Sequence, residues 1–563
     1  MTLTSANRLY VRRPENLYWA SILADHPPGF NCSPDKLMYM TDLIVGRLGT
    51  DKRLYESKGY PYSPISSQRL REYVFDYPLY LAYMLRVGVI ERSPLNYSVG
   101  VRSNAYRLTK LYRTQTVTDT ITDPLFIHKI YQVTDRNNAT AVQGYYYLTR
   151  WAGGLKIDAE LGYRYAEAFL AHGQQILLSR PKRKRAGTRS LNPKTQREKL
   201  YCRHANLYQS IDRIRRGNHY FTVDDSGHRL HTVLTNLKSD LRHALAYQGQ
   251  SLVSIDLSSS QIYLSVRLIE PSFYEAKPTD GRIALRDLAP NVQSLVEPLI
   301  QDIRHLLATN PASPSPAIVQ PEAGRRRLNT ENMTQRDLDF IAELDSLWRA
   351  PIKPITTITT ATRVSLPMYE NRSFSYMYES DNEVVKLENG SRDDNDWQLL
   401  IEQVKQGTFY EYLLQEAVKA TGKTKLTREL MKKTVFTVFF SENETTSRLM
   451  QKRKEIFRDL FPNVMRLFEL IKSQQHRTLA LLLQNIESEI FLNRIARRIA
   501  RERPDLPIFT IHDSIVTTVG NEPFVEVIMR EELERAIGIR PFLKREYWQE
   551  EVLEDAIDAW LSL

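Results

Sequence analysis

A chain of 563 residues with 42% hydrophobic side chains is long enough for two to four structural units and apolar enough to bury a large core, which excludes wholesale disorder. Its formal net charge of +11 favours polyanionic partners. Cys32 and Cys202 are too few for a disulfide framework or a four-thiolate zinc site, no apolar run approaches a membrane span, and the start MTLTSANRLYVRRPENLYW lacks the apolar stretch of a leader. A reducing, cytoplasmic setting without a membrane partner is therefore expected.

In chain order, residues 1–200 are rich in tyrosine and arginine, with helical stretches such as Tyr80 to Val89 and no motif that carries chemistry. Asp158-Ala159-Glu160 has the form of an exonuclease D-x-E, but no second acidic motif follows, and acids near the start of a surface helix explain it. Arg180 to Lys199, RPKRKRAGTRSLNPKTQREK, is either a solvated linker or a phosphate-tracking arm, and a domain boundary is expected there. In SLVSIDLSSSQIYL, Val253, Ile255 and Leu257 alternate with Ser254 and Asp256, the period of a strand, and the pattern turns helical after the serines.

Glu270 to Trp397 reads as an insertion, with a proline-rich piece from Asn310 and an acidic one from Glu379. Helical periodicity then runs to about Arg503. PIFTIHDSIVTTVG follows, two β-branched runs meeting in a tight turn at His512, Asp513 and Ser514. A helix is expected near Pro523 to Ile537 with Gly538 as its C-cap, and FLKREYW as a last strand. Strands and helices in this arrangement predict an α+β fold.

Phosphoryl transfer from a nucleoside triphosphate develops charge on the attacking and leaving oxygens, which two divalent ions stabilise when carboxylates on rigid elements converge. Asp256 at a strand end and Asp513 at a hairpin turn are the candidates. Alone, each is ordinary: an aspartate after a strand often caps a helix, and one in a turn often bonds its own backbone. Between them, TRELMKKTVFTVFF spaces Arg428, Lys432, Phe436 and Phe440 four apart, a slowly spiralling stripe of two cations and two rings, with Lys433 beside it. Such cations suit a triphosphate and such rings suit bases.

These three segments resemble, in order, motifs A, B and C of the family A DNA polymerases and the single-subunit phage-type and mitochondrial RNA polymerases. They are also similar to palm-like proteins of bacterial mobile elements. Asp256-Leu257-Ser258-Ser259-Ser260-Gln261 resembles motif A, Arg428-x-x-x-Lys432-Lys433-x-x-Phe436-x-x-x-Phe440 motif B, and His512-Asp513-Ser514 motif C. The resemblance covers roughly Tyr220 to Trp548, interrupted by the insertion. It implies a right-hand polymerase with an antiparallel-sheet palm, helical fingers and a mostly helical N-terminal domain. The divisions would be 1–200, an N-terminal domain ending in the basic linker; 201–270, palm start; 271–397, insertion; 398–450, fingers; and 451–563, palm completion.

By the same resemblance, Asp256 and Asp513 are catalytic and hold two Mg²⁺ ions, with Mn²⁺ as an alternative. Arg428, Lys432, Lys433, Phe436, Phe440 and Gln261 bind the nucleotide, and Arg229, Asn236, Gln484 and His512 face nucleic acid. The partners implied are a template, a primer and nucleoside triphosphates. Phe440 stands where the family has a tyrosine that senses the sugar 2′-OH, and Gln261 brings bulk where that hydroxyl would sit. Both lean toward deoxynucleotides, while D-x-S-x-S and HDS are the RNA polymerase forms; a DNA template is what the resemblance implies. An RNA polymerase or primase-like enzyme is the alternative within the class, and a non-catalytic nucleic-acid-binding protein the alternative outside it.

Overall fold

The computed structural model describes residues 9–50, 62–94, 103–179, 193–275, 281–309, 396–421, 426–445 and 447–562. The basic run 180–192 and most of the expected insertion, 310–395, lie outside them. The chain is a mixed α+β protein whose site is organised by one six-stranded sheet.

Its strands are β1 (Leu155–Ile157), β2 (Leu245–Tyr247), β3 (Gln250–Leu257), β4 (Ile508–Ile511), β5 (Ser514–Thr518) and β6 (Leu543–Tyr547). The order is β4-β5-β3-β2-β1, with β6 also paired to β3, and the pairs are antiparallel. The sheet joins segments more than 250 residues apart, because β3 lies between β5 and β6. The strand alternation read in SLVSIDL is present in space. Ile255 and Leu257 pack with Ile508 and Ile515 in the largest apolar core. Leu252, Phe509, Ile511 and Val516 pack in a second core on the opposite face. Ser254 and Asp256 share the parity of Leu252, so they lie on that second face, toward its open end.

Helices cover both faces. The helices used below are α1 (Ala159–Ser179), α2 (Pro193–Arg215), α3 (Ser260–Ser265), α4 (Phe409–Thr421), α5 (Arg428–Phe440), α6 (Arg448–Leu460), α7 (Pro462–Ile471), α8 (Thr478–Ser488), α9 (Glu522–Ile537) and α10 (Glu550–Leu561). On the first face α9 packs on β3 and β5, and ends at Gly538, whose φ of +92° is the left-handed C-cap geometry that glycine adopts freely. On the second, α1 packs between α2 and α10. Asp158 caps α1, its carboxylate accepting the Leu161 N–H at 2.9 Å, which accounts for the D-x-E run as a helix start. A separate apolar cluster from Val11 to Val133, joined by Cys202 of α2, forms the N-terminal part.

α8 is almost entirely buried and continues through a π-helical stretch, Glu489–Ala496. Both α3 and α5 pack on it. The C-terminal end of α5 is held by two lysines that are each only 2% exposed. Lys472 donates to the carbonyls of Val438 at 2.6 Å and Ser441 at 3.2 Å, and Lys454 to those of Glu442 and Asn443. Cations at a helix C-terminus complement the free carbonyls and the dipole. Burial pushes the Lys472 ammonium down to about 8.

Candidate active site

Asp256 is directly opposite Ser514 across the β3–β5 pair and opposite Lys544 across the β3–β6 pair. The Leu257 N–H donates to the Asp513 carbonyl at 3.1 Å, so the end of β3 and the β4–β5 turn are joined by the backbone itself. Two aspartates 257 positions apart in the chain are thereby neighbours, on elements whose positions the sheet register fixes. Burial first, and then the charges of Asp513 and Glu546, push the Asp256 carboxyl up to about 6, although hydrogen bonds from Ser254 and Ser514 pull the other way. Ser254 Oγ is 3.1 Å from Asp256 Oδ1.

Left-handed backbone stands directly before Asp513 and three residues after Asp256. His512, first in the β4–β5 turn, has φ +54°, and Ser259, between β3 and α3, has φ +55°. Such residues cost of order 1 kcal/mol each outside glycine and persist where surrounding structure imposes them. The His512 ring is kept neutral, its basicity pushed down to about 3 by burial and then by the charges of Arg229, His231 and Arg242. Its ring meets that of His231 edge-on at 5.9 Å, and His231 pairs with Asp224 at 3.0 Å.

Beneath the aspartates lies Glu487, on α8 and 1% exposed. Its Oε2 accepts from Arg229 Nη2 at 2.7 Å and from Gln261 Nε2 at 3.2 Å. Burial pushes this carboxyl up to about 7 against the pull of Arg229, and the charge of Asp513 adds to the rise. Three of the expected residues, Arg229, Gln261 and Asp513, thus converge on a fourth that was not expected. Glu487 stands in LLLQNIESEIF, three positions after Gln484, the one residue of that segment the sequence singled out. The available signal was its polar content: Gln484, Asn485, Glu487 and Ser488 all lie on a helix without an exposed face. Asn485 donates to the Ser226 carbonyl at 2.8 Å and Ser488 to that of Gly227 at 2.9 Å. These bonds hold the turn that delivers Arg229.

Gln484 is 4% exposed and faces the same turn, where a Cβ on Gly227 would come within 2.7 Å of its Oε1. Arg229, with a side chain 14% exposed, is likewise inside. Both side chains, expected to face nucleic acid, thus lie largely inside, beside the turn at Gly227. Asn236 is exposed, its amide donating to the Tyr220 hydroxyl.

The α5 stripe lies at or near the surface. Arg428 and Phe436 are exposed, Lys432 and Phe440 half-buried, and Lys433 exposed. The rings of Phe436 and Phe440 stack at 5.5 Å between centroids. Arg428 is paired with Glu411 of α4 at 2.6 Å and lies over the Tyr410 ring. The stripe is related to the aspartates through α8, on which α5 packs.

The donors suit a hard cation. Two neighbouring carboxylates, one with its proton affinity raised by burial and then by the other's charge, carry negative charge that a cation would relieve. Mg²⁺ typically takes one or two carboxylates and completes its shell with water and substrate phosphates. Among the described residues no group of three or more His, Cys, Asp or Glu forms a closed metal cage.

No protein-family model and no curated protein matches the chain. Among solved structures it is similar to the POL domain of Pol1 from M. smegmatis in complex with DNA primer-template and dNTP. Identity there is 10%, with 76% of this chain and 74% of that chain covered and a TM-score of 0.26. A polymerase domain is thus a structural neighbour, at a level that supports no inference about individual residues. No helix among the described residues is long and apolar enough to cross a membrane.

Proposed function

We propose that the chain is a template-directed nucleotidyltransferase that extends a nucleic-acid 3′ end, with Asp256 and Asp513 as the metal-holding carboxylates. The observation that carries this reading is their juxtaposition across β3 and the β4–β5 turn. Sequence-remote acids meeting at sheet ends in a charge-rich, half-buried setting suit phosphoryl transfer better than a structural role, which would leave the raised proton affinity of Asp256 uncompensated.

Asp256 and Asp513 would hold two Mg²⁺ ions, or Mn²⁺ in their place, which when bound stabilise charge on the attacking and leaving oxygens. The protein residues do the rest. Arg428, Lys432 and Lys433 neutralise the triphosphate, which for Arg428 requires exchange of Glu411 for a phosphate, an exchange its exposure allows. Phe436 and Phe440 offer a stacked pair of ring faces to the nucleotide base. His512, neutral, accepts or donates a hydrogen bond at the primer end without placing a positive charge beside Asp513. Gln261 would occupy space near the sugar, and with Phe440 in place of a hydroxyl-bearing tyrosine this tilts the reading toward deoxynucleotides; the DNA template follows from the family resemblance alone.

The test offers labelled dNTPs and NTPs separately on primed and unprimed DNA and RNA. Wild-type protein is expected to incorporate with Mg²⁺. Asp513→Ala is expected to lose incorporation by at least about 10³-fold, the scale of an essential electrostatic group, while nucleic-acid binding persists. Undiminished incorporation by Asp513→Ala would overturn the assignment.

A further inference from the structure

We propose that Glu487 is a positioning residue that sets the sugar discrimination of the site by anchoring the carboxamide of Gln261. The proposal rests on the nucleotidyltransferase reading above and adds to it a residue that the motifs do not contain.

Gln261 follows Asp256 by five positions and sits in the first turn of α3, so its side chain is carried beside the aspartates by the backbone that carries Asp256. A glutamine side chain has three rotatable bonds and occupies one place only if something holds its end. That holder is Glu487, whose Oε2 accepts from Gln261 Nε2 at 3.2 Å. The other amide atom, Gln261 Oε1, is buried and makes no hydrogen bond among the described residues, so no second bond fixes the carboxamide.

Glu487 is itself held on two sides. It lies on a buried helix, is 1% exposed, and is tied through the same oxygen to Arg229 at 2.7 Å. Arg229 in turn stands on a turn whose backbone is bonded to Asn485 and Ser488 of α8. Gln261 is thus braced by a charge-assisted pair in a low-dielectric setting, the geometry in which such bonds are strongest. A braced carboxamide keeps its volume where an extra sugar hydroxyl would sit; a released one swings aside and admits it. Glu487, 1% exposed, has no free surface to offer a substrate, and so acts only through Gln261.

A double-mutant cycle separates positioning from general damage. Glu487→Ala, Gln261→Ala and the double variant are compared for kcat/KM with a dNTP and with the matching NTP on one primed template. Glu487→Ala is expected to lower the dNTP/NTP ratio about 5- to 20-fold, chiefly through a lower KM for the NTP. In the Gln261→Ala background the same change is expected to leave the ratio where Gln261→Ala alone puts it. Glu487→Gln keeps the shape and a hydrogen-bonding end and is expected to recover part of the ratio; it also carries the cycle if Glu487→Ala does not fold.

An equal fall for both sugars, or a ratio change that is the same with and without Gln261, would show a merely structural role and overturn the proposal. Wild-type protein that incorporates neither nucleotide would instead overturn the enzymatic reading beneath it, so the two failures are distinguishable.

Discussion

Replacing Asp256 by asparagine should make the metal-free protein more stable while removing its activity. The folded carboxyl is raised from 3.8 to about 6 by burial and by the charges of Asp513 and Glu546. A group whose folded proton affinity exceeds its unfolded one is a liability wherever it must ionise, because the unfolded chain releases its proton first. Below about pH 4 both states are protonated and there is no penalty. The penalty grows as pH rises to about 6 and is complete above it. The interval corresponds to roughly 3 kcal/mol at about 1.4 kcal/mol per tenfold, an upper bound because the side chain is partly exposed.

Asparagine removes the charge and leaves an amide that can still pair with Ser254, so a gain of about 1–3 kcal/mol is expected at pH 7. The assay is urea unfolding in EDTA at about pH 4.5 and pH 7, comparing midpoints at equal slope. The variant should separate from wild type more widely at the higher pH, where the full penalty is present, than at the lower, where only about a third of it is. Adding Mg²⁺ should then stabilise wild type and leave Asp256→Asn nearly unchanged, since a cation bound to the folded state adds its binding free energy. An asparagine variant less stable than wild type in EDTA at pH 7 would refute the picture of surplus negative charge.

Three further outcomes follow from the same geometry. Phe436, 45% exposed, loses only a partial stack when changed to alanine, so stability should fall by less than about 1 kcal/mol while the nucleotide KM rises several-fold in steady-state incorporation. Lys472→Met leaves the Val438 and Ser441 carbonyls without their donor, and a loss of about 2–4 kcal/mol in urea unfolding is expected, with faster amide exchange at the end of α5. His512 should show no titration by NMR between about pH 5 and pH 8. Because its folded proton affinity is depressed, its contribution to stability is lost as pH falls below about 6.5. A His512 titrating near its ordinary value would contradict the burial described here.

Local periodicity made the strands readable. Val253, Ile255 and Leu257 alternate because the sheet has different surroundings on its two faces, and the β-branched runs either side of His512 leave little but a hairpin. Gly538 marked the end of α9 for the same kind of reason, a backbone conformation that few residues accept. Glu487 left only the polar content of its segment as a signal, because helix α8 is buried all round and its polar residues break no amphipathic pattern; their partners, Arg229, Ser226 and Gly227, are about 260 positions away. Gln484 illustrates the complementary difficulty. A polar side chain near a motif suggests a surface contact, whereas packing against Gly227 puts it inside. The left-handed backbone at Ser259 had no sequence signature either, since serine does not ordinarily mark it.

The pairing of Asp256 with Ser514 also bears on how this protein can fail. Side chains along a strand alternate between faces, so a shift of β3 by a single residue against β5 would turn Asp256 toward the opposite layer and bring Ile255 or Leu257 to the open end. Misassembled molecules would therefore be inert, not sluggish. The active fraction of a preparation, counted by titration, should equal the fraction of molecules whose sheet has closed in the correct alignment.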